Sequence, residues 1–139
     1  MLFGEYSVML GSKALVVPFE KFSGEWGFSI NQQTDKTVKS SQEELQTYCT
    51  YLSSHVETQV IVDCELFQSA LEKGLYFSSN IPQGYGSGSS GALVAAVYTD
   101  FASAKIEKDL HLLQKQLALL ESYFHGSSSG LDPLCCYLN

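Results

Sequence analysis

The stretch Ile81-Pro82-Gln83-Gly84-Tyr85-Gly86-Ser87-Gly88-Ser89-Ser90-Gly91-Ala92-Leu93 decides how the rest of the chain is read. Four glycines and three serines fall within the eight residues from Gly84 to Gly91. An apolar run, Leu75-Tyr76-Phe77, precedes it, and the helix-forming run Ala92-Leu93-Val94-Ala95-Ala96-Val97-Tyr98 follows. The pattern is a strand, a tight turn and the N-terminus of a buried helix. Glycines in such a turn let the backbone come close to a ligand and take positive φ. The first N–H groups of the helix have no internal partner, and the helix dipole adds partial positive charge. The turn therefore suits phosphate. Ser89 and Ser90 add hydroxyls that can bind phosphate oxygen or Mg²⁺.

Three readings compete for the loop. A flexible Gly/Ser linker fits poorly, because the segment is clamped between two strongly apolar runs. Gly86-x-Gly88-x-x-Gly91 matches the dinucleotide fingerprint, which also needs a strand ending in an acid about 20 residues on. That region reads Ala104-Lys105-Ile106-Glu107-Lys108-Asp109, a helix start and not a strand end. The third reading is a kinase phosphate loop. It is not of the Walker type, since no Lys-Ser/Thr follows the glycines.

Two further blocks bear on the choice. The first is Leu2-Phe3-Gly4-Glu5-Tyr6-Ser7-Val8-Met9-Leu10-Gly11, and the second is Glu121-x-x-x-His125-Gly126-x-x-Ser129-Gly130-x-Asp132. Taken singly, their residues have plain structural readings. Asp132 suits the first turn of a helix through the helix dipole, Glu121 a solvated helix face, and Glu5 an exposed strand. His125 suits a helix end, hydrogen-bonded to backbone. A carboxylate beside a cation and a phosphate site is also a reasonable base, because phosphoryl transfer mostly needs positioning and charge neutralisation.

Together the three blocks resemble the GHMP kinases, and most nearly the mevalonate kinase branch. Pro82-x-Gly84-x-Gly86-Ser87-Gly88-Ser89-Ser90-Gly91-Ala92 is similar to that family's phosphate motif P-x-G-x-G-L-G-S-S-A-A, with Ser87 for Leu and Gly91 for Ala. The resemblance implies that Gly84, Gly86, Ser87, Gly88, Ser89, Ser90 and Gly91 bind the phosphates of ATP. It implies Asp132 as the catalytic aspartate, with Ser90 and Glu121 as the protein ligands of Mg²⁺. On the same footing Glu5, Tyr6 and Ser129 line the acceptor pocket. Tyr6 stands where the family often has His, and Ser128 where a proline commonly precedes the serine. The family's lysine, six residues before the substrate-side glutamate, would precede Met1. The implied fold is α+β, like domain 2 of ribosomal protein S5, with a mixed sheet backed by helices. Residues 1–139 are then an N-terminal ATP-binding domain trimmed at both ends, lacking the C-terminal domain. A homodimer is left open.

Composition agrees with a globular domain. The chain has 139 residues, 45% hydrophobic and 17% charged, enough for one core. Net charge is −7 with only eight Lys plus Arg, so there is no basic footprint for nucleic acid. No apolar run is long enough to span a membrane, and the N-terminus has no signal-peptide pattern, which points to the cytoplasm. Cys49, Cys64, Cys135 and Cys136 lack C-x-x-C spacing and read as buried thiols.

In chain order, Leu2–Leu10 and Ala14–Val17 read as a hairpin turning at Gly11-Ser12. Glu25–Ile30 reads as a strand and Asn31–Ser41 as a loop, with Ser40 or Ser41 capping a helix that runs to His55. Thr58–Asp63 reads as a strand, Glu65–Lys73 as a helix stopped by Gly74, and Leu75–Ser79 as a strand. Helices are expected over Ser89–Ser103 and along the stripe Ile106, Leu110, Leu113, Leu117, Leu120 to Phe124. Another begins at Ser129 with Pro133 in its first turn.

The kinase reading predicts phosphoryl transfer to a hydroxyl of a small metabolite, mevalonate first and a phosphomevalonate or sugar next. A non-catalytic nucleotide-binding domain is the alternative of another class.

Overall fold

A computed structural model describes residues 7–18, 21–29, 35–81, 88–103 and 107–139. Its described elements run β1 (Gly24–Phe28), α1 (Lys36–Ser54), α2 (Val56–Gln59), α3 (Cys64–Glu72), β2 (Leu75–Ser79), α4 (Ser89–Phe101), α5 (Leu110–His125) and α6 (Leu131–Leu138). The fold is α+β. Among the described residues the sheet is one antiparallel pair, with Trp26 opposite Phe77 and Phe28 opposite Leu75; most of the first strand expected in a mixed sheet lies outside them.

Helix α4 is the centre of the molecule. It is apolar on most sides, burying Gly91, Leu93, Val94, Ala95, Val97, Tyr98 and Phe101. A helix without a polar face must be covered all round, and α3, α5, α6 and β1 pack around it. The period-3.6 stripe of α5 supplies Leu113, Leu117 and Leu120, all fully buried. From α1 come Leu45, Tyr48 and Leu52. Tyr48 is completely enclosed, and its hydroxyl donates to the Leu120 carbonyl at 3.0 Å. That bond satisfies the one polar atom of an otherwise apolar ring. Edge-on ring contacts join the sheet to α4, Trp26 lying 5.0 Å from Phe77 and 5.9 Å from Phe101.

Helix starts follow ordinary capping chemistry. Asp35 accepts from the Thr37 amide, Asp63 from Leu66, and Asp109 from His111 and Leu112. Helices α4 and α6 differ. They begin on Gly88 and Gly130, both at left-handed φ (78° and 72°), with no side chain to offer as a cap.

Several expectations are corrected. The polar 31–41 segment does not stay a loop to its end: α1 begins at Lys36, capped by Asp35 and not by Ser40 or Ser41. Ser41 is used elsewhere, its hydroxyl accepting from the Phe77 amide at 2.9 Å and donating to the Phe77 carbonyl at 3.0 Å. One serine thereby satisfies both backbone groups at that edge of β2. The run Thr58–Asp63 is not a strand. Val56–Gln59 is a short helix, and only Val62 makes a bridge, to Ala102. The buried Thr58 hydroxyl lies 2.7 Å from the Leu52 carbonyl and 2.9 Å from that of His55. This side-chain bonding folds the chain back on the end of α1 and competes with strand pairing.

Residues 1–6 lie outside the described part. Of the expected Leu2–Leu10 strand, Val8–Leu10 is instead a 3-10 turn, closed by Gly11 N–H on the Val8 carbonyl, while Leu15 in the second arm takes part in a β-bridge. Cysteines are less uniform than expected. Cys49 is buried, Cys64 and Cys135 are half-buried, and Cys136 is exposed.

Candidate active site

Two helix N-termini meet at the centre of the site. Gly91, in the first turn of α4, is buried against the first turn of α6. A Cβ there would lie 3.0 Å from the Asp132 carbonyl carbon and the Pro133 nitrogen, and 3.1 Å from the Asp132 Cβ. Only a residue without a side chain allows this approach unchanged, so the Gly88–Gly91 end of the Gly/Ser stretch and the Asp132 turn share one corner of the fold. The N-terminal N–H groups and positive dipole ends of both helices therefore lie at that corner.

The last turn of α5 forms the third wall. Glu121 and His125 are four residues apart and so share a helix face. Both turn toward Ser90: Ser90 Oγ donates to Glu121 Oε1 at 3.2 Å, and His125 Nε2 lies 3.0 Å from the same hydroxyl. The other carboxylate oxygen, Oε2, accepts from Ser128 Oγ. Glu121 is only 4% exposed. Burial raises its carboxyl above the ordinary value. The Ser128 and Ser90 hydroxyls oppose that shift, Asp132 adds to it by like-charge repulsion, and His125 opposes it. Asp132 is thus close enough for its charge to be felt at Glu121.

The turn between α5 and α6 is held from both sides. Gly130 N–H donates to Ser128 Oγ at 2.9 Å. Gln114 Nε2 donates to the Ser129 carbonyl at 2.8 Å, and Ser129 Oγ accepts from the Leu131 amide at 3.4 Å. Ser129 therefore supports the start of α6, but Gly130 is the cap residue expected to be Ser129. Pro133 is buried in the first turn, where its missing N–H costs nothing.

Of the predicted site residues, Gly88, Ser89, Ser90, Gly91, Glu121, Ser129 and Asp132 come together in this corner. Glu5, Tyr6, Gly84, Gly86 and Ser87 lie outside the described residues. His125 and Ser128 are contacts that the sequence reading did not assign. The i, i+4 spacing of Glu121 and His125 could have placed His125 beside Ser90 rather than on backbone. No comparable signal pointed to Ser128.

Chemically, a serine hydroxyl beside a carboxylate is a pair of hard oxygen donors, which suits Mg²⁺. Among the described residues no group of three or more His, Cys, Asp or Glu could hold a metal. A cation here needs phosphate oxygens and water to complete its shell, the usual arrangement for Mg²⁺ at a nucleotide. A separate cavity of about 730 Å³ lies along α3, lined by Asp63, Glu65, Gln68 and Glu72 among others. It holds none of these residues, and its carboxylates oppose an anionic nucleotide. No helix among the described residues is long and apolar enough to cross a membrane.

No curated protein and no solved structure shows significant similarity to the chain. The family model described as GHMP kinases N terminal domain matches residues 50–139. That span includes α4, α5, α6 and the corner they form. The chain belongs to the GHMP kinase family, through its N-terminal domain.

Proposed function

We propose that this protein transfers the γ-phosphoryl group of ATP to a hydroxyl of a small metabolite, with mevalonate as the acceptor. One observation carries the reading: α4 and α6 touch at Gly91 and Asp132 while Ser90 bonds Glu121. A phosphate-binding helix end, an oxygen pair for a cation and a carboxylate thus stand in one corner.

The roles follow from chemistry. The N–H groups at the start of α4 hold the ATP phosphates, aided by the Ser89 hydroxyl and by Gly84, Gly86 and Ser87. Ser90 and Glu121 are the residues that hold Mg²⁺. When bound, Mg²⁺ supplies neutralisation of the phosphate charge. Asp132 accepts the proton of the acceptor hydroxyl, or orients that hydroxyl toward the γ-phosphorus. Ser129 and the segment with Glu5 and Tyr6 contact the acceptor. On the same reading the fold is that of ribosomal protein S5 domain 2, residues 1–139 form the ATP-binding domain, and a C-terminal domain closes the cleft. The protein then works in the cytoplasm.

The test is ADP release with Mg·ATP and mevalonate, beside Asp132→Asn. Mevalonate-dependent release that falls by about a thousandfold or more in the variant is the expected result, given the combined weight of base and positioning effects. Release only with a phosphomevalonate or a sugar moves the acceptor to another branch. Tight Mg·ATP binding without turnover on any acceptor sinks the catalytic reading.

A further inference from the structure

Ser128 occupies a position that the family motif commonly fills with proline. Proline has no hydroxyl, and Ser128 uses its own twice. Its Oγ donates to Glu121 Oε2 and accepts from the Gly130 amide at 2.9 Å. Glu121 is buried, and a buried carboxylate is costly unless both oxygens are bonded. Ser90 takes one oxygen and Ser128 the other. Gly130 is the cap residue of α6, two positions before Asp132. A single hydroxyl therefore ties the carboxylate of α5 to the start of the helix that carries Asp132.

We propose that Ser128 is a positioning residue that orients Glu121 for the cation and fixes its spacing to Asp132. The proposal rests on the kinase reading of that corner. It adds a role that a proline at the same position cannot perform. With the Ser128 bond in place, Oε2 is held and Oε1 faces Ser90. A cation entering between Ser90 and Glu121 then meets a carboxylate already turned toward it. Without the bond, Glu121 can rotate about its last torsion, and the 127–130 turn keeps only the Gln114 bond to Ser129 as a side-chain link to α5. Removing a partner that orients a metal ligand typically weakens metal binding by about 10- to 100-fold.

The experiment compares wild type, Ser128→Ala and Ser128→Thr in the full chain. ATP affinity is measured by calorimetry with and without Mg²⁺, and Gly130 amide exchange by NMR without nucleotide. Ser128→Ala should weaken Mg·ATP binding by about tenfold or more, leave Mg²⁺-free ATP binding unchanged and speed exchange at Gly130. Ser128→Thr, which keeps the hydroxyl, should restore all three. In a Glu121→Gln background, Ser128→Ala should cause no further loss in Mg²⁺ dependence, since the two act as one unit. Should Ser128→Ala not fold, Ser128→Cys, of nearly the same size with only a weak S–H donor, takes its place. Wild-type Mg·ATP affinity in Ser128→Ala, or in Ser128→Cys where that variant substitutes, overturns this proposal and leaves the kinase reading standing. Wild-type protein that binds no nucleotide with Mg²⁺ overturns the kinase reading and this proposal with it.

Discussion

Replacing Gly130 with alanine should destabilise the protein far more than the same change at Gly11, although both residues are left-handed (φ 72° and 85°). The two positions separate backbone strain from steric conflict. A left-handed conformation costs an L-residue with a Cβ about 1–2 kcal/mol. That cost falls on both. A Cβ at Gly11 meets nothing within 4 Å among the described residues. At Gly130 it would lie 2.2 Å from the Gln114 carbonyl oxygen, 2.9 Å from the Ala118 nitrogen and 3.0 Å from the Ala118 Cβ. The first two are backbone atoms of α5 and the third is fixed directly to that backbone, so none can swing aside as a long side chain can. Overpacking of this kind costs a further 1–3 kcal/mol, roughly. Gly11→Ala should therefore lose about 1–2 kcal/mol, and Gly130→Ala about 2–5 kcal/mol. For a domain of this size each kcal/mol lowers Tm by roughly 3–5 °C. The assay is thermal and urea unfolding by far-UV circular dichroism. Equal losses in the two variants, within about 0.5 kcal/mol, would refute the claim that α6 starts where it does because Gly130 lies against α5.

Two further outcomes are expected. Burial raises the Glu121 carboxyl in the folded protein, so the folded state binds that proton more tightly than the unfolded chain. Stability from this group is thus present at acid pH and is lost as pH rises from the ordinary value of 4.5 through the raised one. In Mg²⁺-free urea unfolding, Glu121→Gln should gain on wild type across that window, while losing Mg²⁺-dependent ATP binding; a stability difference that does not change with pH would contradict the assignment. Gly91→Val must push the first turn of α6 away from α4. It should cost about 1–3 kcal/mol and lower turnover more than nucleotide affinity. Wild-type turnover in a folded Gly91→Val protein would show that the contact between the two helices is not needed.

Much of the helical half was legible from local chemistry. Leu110, Leu113, Leu117 and Leu120 repeat at helical spacing and all lie on α5, although the stripe extends back to Ile106 and the helix starts only at Leu110, where Asp109 caps it. The apolar run after the Gly/Ser turn could only be a covered helix, and α4 is one. The early part was harder. Val60-Ile61-Val62 has strand composition, yet the Thr58 hydroxyl and the end of α1 decide its path. Ser41 looked like a helix cap because its alternative partner, Phe77, lies 36 residues away in the chain.

The same division runs through the site. The sequence by itself determined the residue types: glycines and serines before a buried helix, and an acid two residues after Gly130. Those are properties of short segments, where backbone freedom, dipole and side-chain chemistry act locally. Only the tertiary structure decided that Gly91 rests on Asp132, that Ser90 meets Glu121 and His125 across 31 and 35 residues, and that Ser128 holds the second carboxylate oxygen. These pairings depend on how α4, α5 and α6 pack around one core. No local pattern encodes that arrangement, because it is set by burying several apolar faces at once.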